Sequence, residues 1–206
     1  MIQKLYELAE IHSGVVLSRK EAPPENPNSV HYVRLTLRSL SDAGVLQRSE
    51  MEPYYSREIL ESSLLTSLDD IVVRLCTPIN PVLIGEGQVG FLIPSQIAAL
   101  RVKDSTALLP GYLRWFLSQK TVLDALQAAE HGTAQRTIKV KSFLDLEIDV
   151  PSIHIQKKVS EIDQLSRRRE RLYQELIVQE RLHTEQIIDS IVGGNKARAE
   201  KRPGKI

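Results

Sequence analysis

Between Ser152 and Val192 the sequence has no glycine and no proline, and this stretch limits what the chain can fold into more than any other feature. About forty residues without a helix breaker, with apolar side chains at helical spacing, predict one helix roughly 60 Å long at 1.5 Å per residue. That exceeds the width of a small domain, so the helix must project or pack on another long element. Its apolar stripe runs Val159, Ile162, Leu165, Leu172, Leu176, Ile187 and Ile191, and Arg169, Glu180 and His183 interrupt the same face. Leu165, Leu176 and Ile187 repeat every eleven residues, which predicts a nearly straight helix. Gly193 and Gly194 are expected to end it, leaving NKARAEKRPGKI as a basic disordered tail.

The first 150 residues read differently. QKLYELAEIHSG suits a short helix or a strand-like lead-in equally, and RKEAPPENPNSV, with Pro23, Pro24 and Pro27, is an exposed loop. HYVRLTLRSL alternates, putting Val33, Leu35 and Leu37 on one face and Arg34, Thr36 and Arg38 on the other. DDIVVRLC, PVLIG, GFLIP and QIAALRV are further strand candidates, which together suit a compact mixed or antiparallel sheet. Helical spacing takes over in LLPGYLRWFLSQKTVLDALQAAEHG, and LDLEIDVP closes the region as a last strand. The expectation is an α+β chain: a mixed-sheet globular domain over 1–150, a long helix over 151–192 and a tail over 193–206.

Catalytic signals are absent or misplaced. Gly85-Glu86-Gly87-Gln88-Val89-Gly90 has the spacing of a dinucleotide-binding loop, but the helix that motif requires is blocked by Pro94, so a sheet turn is expected. Asn80-Pro81-Val82-Leu83 lacks the second proline and the aromatic with which amino-methyltransferases grip a flipped base. The five histidines are scattered without ligand spacing, and Cys76, the one cysteine, reads as a buried strand thiol. No catalytic residue and no metal site is expected. Lacking both an apolar membrane span and a signal-peptide core, the chain is expected in the cytoplasm and not on a membrane.

With 27 basic and 26 acidic residues the net charge is +1, which argues against a uniformly basic protein. The distribution is less even. Arg34, Arg38 and Arg48 meet only Asp42 between Val30 and Ser49, and Arg136, Lys139 and Lys141 meet no acid between His131 and Phe143. Local basic faces are expected.

Taken in order, KLYELAEIHSG, YVRLTLRSLSDAGVL, LTSLDDIVV, QIAALRV before LPGYLRWFLSQ, and above all GTAQRTIKVKSFLDLEIDVPSIHIQKKVSEID resemble the specificity subunit of type I restriction-modification systems. In that family each target-recognition domain is followed by a long helix. Where the family shows Glu-Gln after the proline, this chain has Ile155-Gln156. Complete members carry two recognition domains and two helices, so the resemblance implies a half-length form with one of each.

The resemblance implies a non-catalytic subunit that reads double-stranded DNA. Its partners would be a modification methyltransferase, which would hold S-adenosylmethionine, and a translocating restriction subunit; no cofactor is expected on this chain. Dimerisation through the helix would let two copies read an interrupted palindrome. In the loop after the helices, Gln135 and Arg136 have the chemistry to read adenine and guanine, and Thr133, Thr137 and Lys139 to hold phosphates. Arg34, Thr36 and Arg38 are a second candidate set, Arg19 and Lys20 a third. A plain connecting loop and solvated strand polarity remain alternatives for them. Ile162, Leu165, Arg169, Leu172, Leu176, His183 and Ile187 are the candidate dimer interface, with packing on the chain's own domain as the alternative. The rival function is a protein-interaction module with a helical dimerisation arm and no specific DNA binding.

Overall fold

A computed structural model describes residues 1–130 and 137–199, with side chains as far as 192. The chain divides into two units, Met1–Gln164 and Leu165–Ile206.

In the first unit, β1 (Ile2–Lys4) passes through the single turn α1 (Leu5–Leu8) into β2 (Ala9–Ser13). Both readings of the opening segment are thus realised, in succession. β3 (Val30–Arg34) and β4 (Glu52–Ser56) form an antiparallel ribbon in which Val30 faces Ser56 and Arg34 faces Glu52. β5 (Ile71–Arg74), β6 (Val82–Leu83) and β7 (Ile97–Val102) join β2 in a four-stranded sheet of order β2-β7-β5-β6. The helices α2 (Pro110–Leu117), α3 (Lys120–Ala128) and α4 (Val140–Leu144) follow, then β8 (Glu147–Asp149), which returns to pair with β1. Every named strand pair is antiparallel; parallel pairing occurs in the isolated bridges Val15–Pro94 and Arg34–Leu92.

The central sheet is buried on both faces, which explains why β5 and β7 read as continuous apolar runs. Ile71, Val73, Ala98 and Leu100 point into a core with Leu113 and Leu117 of α2, Leu126 of α3 and Phe143 of α4. Val72, Ile97 and Ala99 point the other way, against Leu35, Leu40, Leu46 and Ile84 from the connecting segments. At the end of β2 only glycine fits: a Cβ on Gly14 would stand 2.1 Å from the Ile93 carbonyl oxygen. What the sequence offers as a glycine stop is a close backbone crossing.

Three expectations are corrected locally. β3 ends at Arg34, so Arg34, Thr36 and Arg38 do not share an outward strand face. Thr36 and Ser39 bond each other's backbone, the Ser39 hydroxyl donating to Thr36 O at 2.8 Å, and these short-range bonds turn the chain out of the ribbon. GFLIP forms no strand; Leu92 is held through bonds to Val33 and Leu35, each 2.9 Å. Cys76 lies beyond β5 and is half-buried, and that burial pushes its thiol pKa up. Gly85–Gly90 does form a turn, with Glu86–Gln88 in one 3₁₀ turn and Gly90 at φ +88°.

The last helix, α5 (Ile153–Ala199), begins two residues after Pro151. It continues through Gly193 and Gly194 instead of stopping there, since a glycine in a helix costs only about 1 kcal/mol. Residues 200–206 of the expected tail lie outside the described residues.

The first three turns of α5 belong to the first unit and are seated by polar contacts. Gln156 is fully buried. Its carbonyl oxygen accepts from Leu109 N at 2.8 Å, and its amide donates to Ala107 O and Pro151 O, each at 2.9 Å. One turn on, Ser160 lies against Gly111, whose missing side chain permits the approach: a Cβ there would be 3.1 Å from the Ser160 Cβ. Two turns on, Asp163 pairs with the buried Arg114 of α2. Positions 156, 160 and 163 share one helix face, so the sequence builds the seat of the helix with the spacing it uses for apolar faces.

Candidate nucleic-acid interface

The candidate DNA-reading residues fall into three groups. Arg19 and Lys20 sit near the Val30–Ser56 end of the β3–β4 ribbon, where Lys20 pairs with Glu58 and its backbone oxygen accepts from Arg57 N at 2.9 Å. Arg34 lies at the other end, about 13 Å away along the strand. Its guanidinium is taken by Glu52 across the ribbon, with Nε donating to Oε2 at 3.1 Å. The Thr36 hydroxyl donates to Glu50 O at 2.7 Å, and Arg38, 77% exposed, reaches the Glu50 carboxylate at 3.3 Å.

The third group is the segment before α4. Thr133, Gln135 and Arg136 lie outside the described residues. Thr137 and Lys139 are exposed, and between them Ile138 is buried and anchored to the end of β5 through a 2.8 Å bond from its N–H to Leu75 O.

Arg74, which the sequence reading passes over, links the second and third groups. Its Nε donates to Leu37 O at 2.9 Å, a terminal nitrogen donates to Leu40 O, and the guanidinium lies 3.8 Å from Asp42. Asp42 also accepts from the Asn80 amide at 2.7 Å. On the other side of the loop that follows β5, Thr77 N donates to Glu130 at 2.8 Å. One loop therefore has the Thr36–Asp42 turn on one flank and the Glu130 and Ile138 neighbourhood on the other. The signal for Arg74 was an arginine closing an otherwise apolar strand. Beside this loop, Thr77–Asn80 and Lys120, Leu123 and Gln127 enclose a hollow of about 320 Å³.

Among the described residues there is no group of histidine, cysteine and carboxylate side chains able to hold a metal ion. Three of the five described candidate cations, Lys20, Arg34 and Arg38, already have a carboxylate partner, so a phosphate would compete with Glu58, Glu52 or Glu50 for them. Arg19 and Lys139 have no ion-pair partner among the described residues.

The same architecture occurs in solved structures. A type I restriction-modification system S subunit from M. genitalium superposes with a TM-score of 0.57 and 16% identity, over 92% of this chain and 45% of that one. A chain from a structure describing complex assembly and conformational transition of the type I R-M system gives a TM-score of 0.62 and 14% identity, over 94% and 44%. The fold is that of a type I S subunit. The HsdS subunit from Thermoanaerobacter tengcongensis agrees, with a TM-score of 0.55 and 15% identity over 85% and 39%. The present chain thus spans less than half the length of the S-subunit chains it matches. No family model matches it, and no curated protein sequence does. In this S-subunit fold the order of connecting segment, closing strand, proline and long helix read from GTAQRT to KKVSEID appears as the passage from 137 through α4, β8 and Pro151 into α5.

The candidate dimer residues all lie on α5. Ile162 belongs to the first unit, and Leu165, Arg169, Leu172, Leu176, His183 and Ile187 to the second; all seven are exposed in the single chain. No helix among the described residues is long and apolar enough to cross a membrane.

Proposed function

We propose that this chain is a non-catalytic DNA-recognition subunit of a type I restriction-modification complex. The supporting observation is a fold shared with S subunits over 85% or more of the chain. Residues 1–150 form the target-recognition domain. Thr133, Gln135, Arg136, Thr137 and Lys139 supply contacts to DNA, with Arg34, Thr36 and Arg38 as a second set and Arg19 and Lys20 as a third. Residues 151–192 are the spacer helix, through which two copies associate and read an interrupted palindrome. The complex works in the cytoplasm, S-adenosylmethionine is bound by the methyltransferase subunit, and a translocating restriction subunit joins the assembly. The test is purification with that methyltransferase followed by selection of bound DNA from a random pool. Two copies of one half-site at fixed spacing are expected; a pool with no enriched sequence would refute the reading.

A second reading has support in the ion pairs Lys20–Glu58, Arg34–Glu52 and Arg38–Glu50, which leave little unbalanced positive charge. Under it the domain binds protein, and association is nearly independent of salt. DNA recognition instead requires affinity that falls steeply with salt as counterions are released.

A further inference from the structure

On α5 the residues Leu165, Leu172, Tyr173, Leu176, Ile177 and Ile187 each leave 45% or more of their surface exposed, in one band interrupted by Arg169, Glu180 and His183. An apolar band of this length is expected to be covered, and the interruptions specify by what. We infer that the band is closed by the same band of a second copy, antiparallel, with the two-fold axis between Gln174 and Glu175, so that Arg169 of each copy faces Glu180 of the other. The inference rests on the homodimer reading above and fixes its register.

Opposed residues in an antiparallel pair lie equally far on either side of the axis. With the axis here, Leu172 faces Ile177, Tyr173 faces Leu176, and Leu165 faces Thr184. Arg169 meets Glu180 twice, once on each side, and His183 falls opposite Ser166, so each polar interruption has a polar partner. Registers displaced from this one by a full eleven-residue repeat are less favourable. Sliding one helix by one repeat in one direction puts Arg169 on its own copy at the axis and Leu172 against Ser166. Sliding it in the other direction puts Glu180 on its own copy and Ile177 against His183. A parallel pair in register sets Arg169 against Arg169 and Glu180 against Glu180. Each alternative brings like charges together in an apolar seam, where removal from water makes repulsion most costly.

The experiment compares dissociation constants of the full-length chain by sedimentation equilibrium for wild type, Arg169→Glu, Glu180→Arg and the double exchange, with helix content followed by circular dichroism. Each single exchange creates two like-charge contacts and is expected to weaken the dimer on the order of tenfold or more. The double exchange restores opposite charges and returns the constant to within a few-fold of wild type. A wild-type dimer that the single exchanges leave unchanged, or that the double exchange fails to restore, overturns the register and leaves the homodimer reading standing. A wild type that stays monomeric at all concentrations overturns both. As a second readout, Tyr173→Cys and Leu176→Cys chains in a Cys76→Ala background, mixed and oxidised, are expected to cross-link preferentially to each other; preferential cross-linking of Tyr173→Cys chains to themselves contradicts the register.

Discussion

The side chain of Gln156 is fully buried and spends both amide hydrogens and its oxygen on three backbone groups, those of Leu109, Ala107 and Pro151. Replacement by alanine leaves all three part-buried groups without their side-chain partner. Gln156→Ala should therefore destabilise the first unit by about 2–4 kcal/mol, measured as a lower urea midpoint. Gln156→Glu is a sharper probe, because a carboxylate cannot donate to the two carbonyls. Its folded-state pKa is raised above the unfolded value, so the destabilisation is greatest above that raised pKa and shrinks as the group protonates with falling pH. The gap in urea midpoint between Gln156→Glu and wild type should narrow on acidification; a gap independent of pH would mean that lost shape, not the two acceptors, dominates.

At the scale of elements, legibility followed length and regularity. α5 was evident from forty residues without a breaker, and β5 and β7 from apolar runs that a sheet buried on both faces requires. α4 was not evident: five residues, Val140–Leu144, cannot display a helical period, and the segment reads as part of a loop leading into a strand. β3 stops at Arg34, short of its alternating sequence, because the Thr36 and Ser39 side chains bond backbone groups and form a turn. Although short, α4 carries Phe143, one of the largest fully buried side chains, which packs with Leu113, Leu117, Leu126 and Ile148. Phe143→Ala should cost about 3–5 kcal/mol by equilibrium unfolding, as expected of a large core truncation. A loss below about 1 kcal/mol would show that this turn contributes little to the core.

At the scale of the whole molecule, a net charge of +1 is compatible with DNA binding only if its distribution matters more than its sum. The sequence located the basic residues but not the carboxylates that fold onto them, since Arg34 and Glu52 become neighbours only through the β3–β4 register. In the proposed DNA-reading function, Glu52 would therefore compete with phosphate for Arg34. In the DNA-reading function, Glu52→Gln releases Arg34 to pair with DNA, while Lys139→Gln removes an exposed cation that has no acidic partner among the described residues. Each phosphate contact adds about 0.9 to the slope of log affinity against log salt. Titrations of a duplex by fluorescence anisotropy, run from roughly 50 to 200 mM salt, should give a slope shallower by about one per subunit for Lys139→Gln. Glu52→Gln should bind more tightly, with an equal or steeper slope. If Glu52→Gln leaves both affinity and slope unchanged, Arg34 does not touch the backbone and the ribbon lies outside the footprint. If Lys139→Gln is also silent, the contacts must come from elsewhere in the domain or from the methyltransferase subunit, and repeating the titrations with that subunit present separates the two.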